Sequence, residues 1–350
     1  MGKRRNRAVL LSLVATLAAL AACGGGGDPS VGGAGSGAGQ NSDSLPAAQL
    51  SLVAYSTPQE AYDAIIEAFR KTPQGRNVTF TKSYGASGEQ SRAVEAGLEA
   101  DIVAFSLEPD MTRLVRKGIV AEDWASGAQK GMVTDSVVVF VVRKGNPKNI
   151  KTWADLARPG VDVITPNPFT SGGARWNVMA GYGQAAKAGG EQAGVAYLNS
   201  LFKNVSVQDD SARKSLQTFT SGKGDVLIAY ENEAIFAQKK GQTIDYVVPD
   251  STILIENPVA VTKAAKSPEH ARVFLEFLHQ PEAQRIFAEN GYRPVVEGVA
   301  GVAGTRPFPT PPGLFTIADF GGWADVTKKF FDPAGSVMAD IERSNGISVG

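Results

Sequence analysis

Cysteine and histidine are scarce in this sequence of 350 residues, which contains one cysteine and two histidines. A single cysteine excludes an intramolecular disulfide framework and a zinc site built from several thiolates. The histidines, His270 and His279, leave few options for a metal centre or for a nucleophile activated by a histidine base. The motifs G-x-S-x-G and G-x-x-x-x-G-K-[ST] are also absent. We therefore predict a protein that is not an enzyme and that uses neither a metal nor a cofactor.

An excess of charge of one sign is also missing, because 35 basic and 35 acidic residues give a net charge of zero. A protein that tracks phosphates needs a surplus of lysine and arginine on one face, so nucleic acid is not an expected partner. The apolar fraction of 43% is that of a globular chain. A chain of this length predicts about two domains.

Residues 1–22 are predicted to be a signal peptide. Basic residues in the first seven positions precede an uncharged run at 8–22, which is too short to span a bilayer comfortably and is typical of a secretory signal. This run ends in LAAC, which resembles the lipobox of bacterial lipoproteins, where the cysteine receives a diacylglycerol; here that residue is Cys23. Residues 23–47 are rich in glycine and serine and predict a flexible linker. We expect an extracytoplasmic protein anchored to the cell membrane through lipidated Cys23.

From residue 50 onward, short β-rich runs alternate with helical patterns, which is typical of βαβ units and parallel sheets. The predicted strands are Leu50–Tyr55, Val78–Lys82, Asp101–Phe105, Val133–Arg143, Val161–Thr165, Asp225–Tyr230, Thr243–Val248 and Thr252–Thr262. The predicted helices are Gln59–Lys71, Glu89–Glu99, Gly172–Lys187, Gln192–Phe202, Ala212–Thr220, Pro268–Gln280, Glu282–Asn290 and Trp323–Ile341.

Two of the β-rich runs, Val133–Arg143 and Ile253–Val261, are longer than a usual strand of about five or six residues. Such runs suit segments that cross between two lobes. We therefore predict a two-lobed α/β fold with parallel-rich sheets flanked by helices and with hinge crossovers. Lobe one would comprise residues 48–134 and 250–350, and lobe two residues 135–249.

Four junctions carry serine or glycine directly before a helix. They are Tyr55-Ser56-Thr57-Pro58, Gly85-Ala86-Ser87-Gly88, Thr170-Ser171-Gly172-Gly173 and Asp210-Ser211-Ala212. A helix N-terminus offers N–H groups without intrahelical partners, and small residues let an anion approach them. Serine is also a common N-cap, so a single junction carries little weight. Four junctions that converge at the C-terminal edges of the sheets would form an anion site.

Residues 161–184 read VDVITPNPFTSGGARWNVMAGYGQ and resemble the signature of the periplasmic sulfate- and thiosulfate-binding proteins of ABC importers. Further matching stretches are SYGASGEQ at 83–90, VVRKGNPKNIKTWADL at 141–156, LFKNVSV at 201–207, GDVLIAYENEA at 224–234 and FTIADFGGWA at 315–324. These stretches follow the order of the family. The resemblance implies a periplasmic-binding-protein-like fold of type II, in which two α/β lobes close on the ligand.

In that family, main-chain amides hold most of the dianion, together with one serine hydroxyl and one indole N–H. The resemblance implies ligand-binding roles for the amides of Ser56, Ser87, Gly172, Gly173 and Ala212, the hydroxyl of Ser171 and the ring donor of Tyr230. Tyr230 stands where the family usually has tryptophan, and Ser56 where it usually has aspartate. Tyrosine keeps an O–H donor, but its reach and direction differ from those of an indole.

The implied function is that of a solute-binding lipoprotein, a monomer that captures sulfate or thiosulfate and delivers it to ABC permease subunits served by a separate ATPase. Sulfate is fully ionised at neutral pH and only accepts hydrogen bonds, which suits a site made of donors. Phosphate retains a proton and favours a carboxylate acceptor. Two alternatives remain: a protein for another oxyanion, such as molybdate or phosphate, and a signalling or scaffold lipoprotein that transports nothing.

Overall fold

A computed structural model describes residues 45–301, 306–347 and 349 of the protein. The predicted signal peptide, Cys23 and nearly all of the predicted linker lie outside these residues. The strands are β1 (Ala48–Tyr55), β2 (Val78–Gly85), β3 (Ile102–Ala104), β4 (Met132–Arg143), β5 (Val163–Ile164), β6 (Val205–Val207), β7 (Val226–Tyr230), β8 (Ile244–Val247), β9 (Ser251–Val261), β10 (Arg293–Pro294) and β11 (Gly313–Phe315).

The α-helices flank these strands. They are α1 (Gln59–Phe69), α2 (Ser87–Glu95), α3 (Glu108–Arg116), α4 (Trp153–Leu156), α5 (Gly172–Phe202), α6 (Ala212–Thr220), α7 (Glu231–Lys239), α8 (Pro268–Leu278), α9 (Pro281–Glu289), α10 (Gly322–Phe330) and α11 (Val337–Ser344). A 3-10 turn spans Ile317–Phe320. In the described part of the chain, no helix has the length and apolarity needed to cross a membrane.

The strands pair in the order β2-β1-β3-β9-β4-β7-β5-β6, with β8 and β10 added to β4 and β11 to β9. β1 is parallel to β2 and β3 at one end, and β5 is parallel to β6 and β7 at the other. The central pairs β3–β9, β9–β4 and β4–β7 are antiparallel. The fold therefore has a parallel group of strands at each end, as the βαβ pattern of the sequence predicts.

The two long strands β4 and β9 connect these groups. The first half of β4 pairs with β9, and its second half pairs with β7 and β8. The C-terminal end of β9 pairs with β3. Residues 137–142 of β4 are at most 1% exposed, which explains why this run is almost continuously apolar. β9 therefore joins the first group through β3, β4 joins the second group through β7, and the two long strands pair with each other between the groups.

One predicted helix was wrong, and several elements were missed. The predicted helix Trp323–Ile341 is two helices, α10 and α11, because Pro333 disfavours helical backbone in the residue before it and Ser336 starts a new helix by accepting a hydrogen bond from the Ala339 amide at 3.3 Å. Helices α3, α4 and α7 and the short strands β6, β10 and β11 were missed. Helices α3 and α7 each follow a strand almost at once, and α7 starts directly at the end of β7 without a turn signal.

Helix α5 behaves as two segments, as predicted from Gly172–Lys187 and Gln192–Phe202. Gly190 interrupts it with a φ of 80° and a ψ of 178°, a conformation that glycine adopts without strain. The first segment packs in the core formed with β4 and β7, where Trp153, Trp176 and Trp323 are all at most 5% exposed. These three tryptophans are therefore core residues of this part of the fold.

Two carboxylates face each other on the connecting strands. Asp135 of β4 lies opposite Glu256 of β9, and Arg293 of β10 lies on the other side of Asp135 but donates its Nε hydrogen bond to Glu231 at 2.9 Å. Burial and the charge of Glu256 raise the pKa of Asp135 to about 7, and burial also raises the pKa of Glu256. The ionised pair is therefore unfavourable in the folded state.

This pair predicts how stability depends on pH. Because the folded-state pKa of Asp135 exceeds its unfolded value, its stabilising contribution is present below about pH 4 and is lost as the pH rises to about 7. We expect Asp135→Asn to raise the melting temperature at pH 8 by roughly 2–4 °C and to flatten its pH dependence. Differential scanning calorimetry between pH 5 and 8 tests this. A variant that is less stable than wild type at pH 8 would contradict it.

Candidate functional site

The seven predicted ligand-binding residues surround one small cavity. Its lining consists of Tyr55, Ser56, Thr57, Ala86, Ser87, Ser106, Ser171, Gly172, Gly173, Ser211, Ala212 and Tyr230. None of these described residues carries a charge. The free volume is about 10 Å³, which is room for one compact group and far less than a sugar or a peptide needs. The four junctions identified in the sequence therefore converge.

Strand topology explains this convergence. Ser56 follows β1, Ser87 follows β2, Ala212 begins the helix after β6, and Tyr230 ends β7. Each of these strands belongs to one of the two parallel groups, so all of these residues lie at carboxyl ends of parallel strands. Open α/β sheets bind their ligands at such edges.

Helix α5 begins at the cavity. Ser171 is its N-cap and accepts a hydrogen bond from the Ala174 amide at 3.4 Å, while the amides of Gly172 and Gly173 lie in the first turn, where no intrahelical acceptor exists. A Cβ atom on Gly172 would lie 2.0 Å from Cδ2 of Leu107, so only glycine fits there. This helix start therefore lines the cavity with residues whose N–H groups have no intrahelical acceptor.

Helices α2 and α6 add their own starts. Ser211 caps α6 by accepting a hydrogen bond from the Lys214 amide at 3.4 Å, which leaves the Ala212 amide in the first turn. Ser87 is the first residue of α2; its hydroxyl donates to Asp110 at 2.6 Å and accepts from the Ser106 amide at 3.0 Å. The Ser87 hydroxyl is thus occupied, and its amide is the group that remains for a ligand.

The Tyr230 hydroxyl lies 2.8 Å from Oγ of Ser106, and either oxygen could be the donor. Burial raises the pKa of Tyr230 well above its ordinary value. The phenol therefore keeps its proton at any physiological pH and stays available as a donor.

Residues 50–293 match the sequence profile of the bacterial extracellular solute-binding proteins. The chain belongs to this family. It is 41% identical over 330 residues to the sulfate-binding protein of Synechococcus elongatus, an alignment that covers 92% of this chain and 91% of the relative. It is 35% identical over 309 residues to the thiosulfate-binding protein of Escherichia coli, covering 84% of this chain and 91% of that protein.

A solved structure of another protein is also similar to this chain. The sulfate-binding protein SubI from Mycobacterium tuberculosis H37Rv is similar with a TM-score of 0.78 and 45% sequence identity, over 81% of this chain and 99% of that one. The prediction of a two-lobed α/β fold of the periplasmic-binding-protein type is confirmed by this match.

Carboxylates of this solute-binding protein approach the cavity but do not line it. Asp110 is 2% exposed and receives hydrogen bonds from Ser87 Oγ and from Arg113 Nη1 at 3.1 Å. Asp210 pairs with Lys214, and Asp209 accepts a hydrogen bond from Thr218 at 3.0 Å. The only groups directed at the described cavity surface are therefore neutral dipoles.

Arg213 joins elements on two sides of the cavity. Its guanidinium binds both carboxylate oxygens of Glu60 on α1 at 2.9 and 3.0 Å and both of Glu233 on α7 at 3.0 Å. It also donates to the Thr57 carbonyl at 2.7 Å and stacks on the Phe236 ring. Since Arg213 follows Ala212 and Thr57 follows Ser56, this ion pair holds two of the cavity junctions together.

Arg175 lies one turn into α5 but does not line the cavity. Its Nε donates to the Pro168 carbonyl at 2.9 Å, and its guanidinium lies over the Phe331 ring. Neither Arg175 nor Arg213, the two arginines close to these helix starts, therefore lines the cavity.

Ser106 is the cavity residue that sequence analysis missed. It follows β3 and precedes α3, so it lies at a fifth junction of the same type, which was overlooked because α3 was overlooked. A signal was available: Glu108 and Asp110 in the first turn, Pro109 at its start and Arg116 at its end are typical of a helix. Recognising α3 would have placed Ser106 beside Ser56 and Ser87.

Proposed function

We propose that this protein is a lipid-anchored solute-binding protein that captures sulfate or thiosulfate between two lobes and delivers it to an ABC importer. The observation that carries the proposal is the convergence of helix starts from both parallel groups of strands on one uncharged cavity. The names of the sulfate- and thiosulfate-binding relatives support the same ligand class. The proposed ligand donors are the amides of Ser56, Ser87, Gly172, Gly173 and Ala212 and the hydroxyls of Ser171 and Tyr230.

The proposed lobes are residues 48–134 with 250–350, and residues 135–249, with β4 and β9 as the crossing segments. Ser56 and Ser87 then belong to lobe one, whereas Gly172, Ala212 and Tyr230 belong to lobe two. Donors from both lobes would contact one ion, so the ion binds the closed state better than the open state. That difference in affinity is what shifts the population toward closure.

The donor set favours an acceptor-only ion. Each hydrogen bond to a charged group contributes roughly 1.5–3 kcal/mol, and micromolar binding needs about 8 kcal/mol. Seven donors are therefore sufficient even after the costs of dehydration and closure. Hydrogenphosphate carries a proton that needs an acceptor, and no carboxylate lines the described cavity.

The test is titration calorimetry of the soluble body with sulfate, thiosulfate, molybdate and phosphate. We expect sulfate or thiosulfate to bind most tightly, with an affinity that changes by less than about twofold between pH 6 and 8, because neither the ion nor a neutral tyrosine titrates there. A steep pH dependence, or tighter binding of phosphate, would contradict the proposal and favour the other-oxyanion alternative. No binding of any of the four ions would favour the signalling or scaffold alternative.

We also propose that the protein binds its ligand without chemical turnover, as a monomer, and that permease subunits with a separate ATPase receive the ion. The two histidines support the absence of catalysis. His270 Nε2 lies 2.9 Å from the Pro46 carbonyl and His279 Nε2 lies 2.9 Å from the Met132 carbonyl. Neither histidine lines the cavity, so neither is placed to activate a serine there.

The lipid anchor gives a separate prediction. Because Cys23 ends the LAAC sequence, we expect Cys23→Ser to release the protein from the membrane fraction while sulfate binding is unchanged. Fractionation of cells that express each form, followed by immunoblotting, measures the release. Replacing Ser30 with alanine in the linker is a matched control that should leave the protein attached. Continued attachment of the Cys23 variant would contradict lipidation at this residue.

A further inference from the structure

The Tyr230 hydroxyl differs from an indole in one respect that matters for binding an anion. The N–H of an indole is fixed in the plane of its ring, whereas a phenol hydrogen rotates about the C–O bond. A tyrosine that donates a hydrogen bond to an anion therefore needs a neighbouring group that fixes the orientation of its O–H bond. Among the residues that line this cavity, the neighbour within hydrogen-bond distance is Oγ of Ser106, at 2.8 Å. The Asn257 side chain, which lies outside the lining and donates to the Ser106 carbonyl, also interacts with the phenol.

Ser106 is held firmly enough to serve this purpose. It is 1% exposed, and its amide donates to Ser87 Oγ at 3.0 Å. Its carbonyl accepts hydrogen bonds from Nε1 of Trp176 at 2.8 Å and from Nδ2 of Asn257 at 3.0 Å. Hydrogen bonds to three different elements thus fix the main-chain groups of Ser106. Its hydroxyl hydrogen can still rotate about the Cβ–Oγ bond.

The chemistry of the ligand decides that direction. An ion that only accepts hydrogen bonds accepts one from the phenol O–H. The phenol oxygen can then accept a hydrogen bond from the serine hydroxyl. The reverse arrangement would aim an oxygen lone pair at the anion, which is repulsive. Since Tyr230 remains protonated, a complete chain of donation from serine to phenol to anion is available.

We propose that Ser106 is a positioning residue for the bound oxyanion, whose hydroxyl donates to the Tyr230 oxygen and so holds the phenol O–H on the ligand. This inference rests on the proposed function. It explains how the site works with tyrosine where the resembling family usually has tryptophan: two hydroxyls in series supply the fixed donor that an indole supplies alone.

A double-mutant cycle tests the proposal. Sulfate affinity is measured by titration calorimetry for wild type, Ser106→Ala, Tyr230→Phe and the double variant. We expect Tyr230→Phe to weaken binding by about tenfold to a hundredfold and Ser106→Ala by about fivefold. In the Tyr230→Phe background, Ser106→Ala should change affinity by less than about twofold, because no phenol hydrogen remains to be directed. An equal loss in both backgrounds would overturn the proposal.

Controls separate positioning from general damage. Ser215→Ala removes another fully buried hydroxyl, on α6 and outside the cavity lining, and should leave sulfate affinity unchanged. The melting temperature of each ligand-free variant reports any loss of stability. In a Tyr230→Trp background, Ser106→Ala should change affinity by less than about twofold, because an indole needs no such partner; a loss as large as in wild type would overturn the proposal.

Failure of this inference can be told apart from failure of the proposed function. If wild type binds sulfate and the two losses are additive, only the role of Ser106 is overturned. If wild type binds none of sulfate, thiosulfate, molybdate and phosphate, the proposed function falls and this inference falls with it.

Discussion

Replacing Gly173 with aspartate is expected to abolish sulfate binding, with a loss of at least about a thousandfold in affinity. A Cβ atom at this position would lie 3.3 Å from Cβ of Ala212 and 3.5 Å from Cε1 of Tyr230, so a side chain enters the cavity. The added carboxylate would then face a dianion at close range. Repulsion between two unit charges 4 Å apart is about 4 kcal/mol at an effective dielectric constant of 20, and a dianion doubles it.

Gly173→Asn is the matched control, because it adds almost the same volume without the charge. Titration calorimetry should show a smaller loss for asparagine than for aspartate, and the difference between them measures the electrostatic part. The melting temperatures of the two ligand-free variants should be similar. An aspartate variant with wild-type affinity would remove this helix start from the binding site.

Replacing Arg213 with methionine should have the largest effect on stability. Glu233 is fully buried, and Arg213 is its ion-pair partner at 3.0 Å. Removing one partner of a buried pair leaves an uncompensated charge and costs about 3–5 kcal/mol. We expect urea unfolding to show a loss of this size at pH 8. Burial already raises the pKa of Glu233, so in the variant stability should fall further as the pH rises from 5 to 8.

The same arginine is expected to contribute to closure. Glu60→Gln is the informative control, since it weakens only the bond to α1 and leaves the buried Glu233 pair in place. Because Glu60 is partly exposed, we expect little change in the stability of the ligand-free protein and a loss of a few fold in sulfate affinity.

For the Arg213→Met variant, unchanged urea unfolding would show that the pair of Arg213 and Glu233 does not stabilise the fold.

The longer strands, most of the longer helices and the order of the junctions were predictable because each has a local signal, whereas the short elements β6, β10, β11 and α4 were missed. Alternation of β-rich and helical runs indicated βαβ units, and the length of β4 marked it as a connecting strand. Local signals failed where a feature had none, as at α7, which starts directly from the last residue of β7. They also failed where the apolar pattern continued across Asp332 and Pro333, so that two helices were read as one.

The placement of Ser106 in the cavity and of the Arg213 ion pair beside it depends on long-range contacts. Ser106 and Tyr230 are 124 positions apart, and Arg213 and Glu60 are 153 apart. No local pattern reports such pairs, because they depend on how strands from the two parallel groups are placed around β4 and β9.

The sequence by itself determined the class of the protein: its α/β pattern, its leader-like start and the small residues at its helix starts follow from local composition and spacing. The tertiary structure alone decided that these helix starts share one uncharged cavity, that Ser106 lines it, and that Arg213 ties two of its junctions together. The physical reason is that a main-chain amide becomes a binding group only through its direction and its neighbours, and both are set by packing between distant segments.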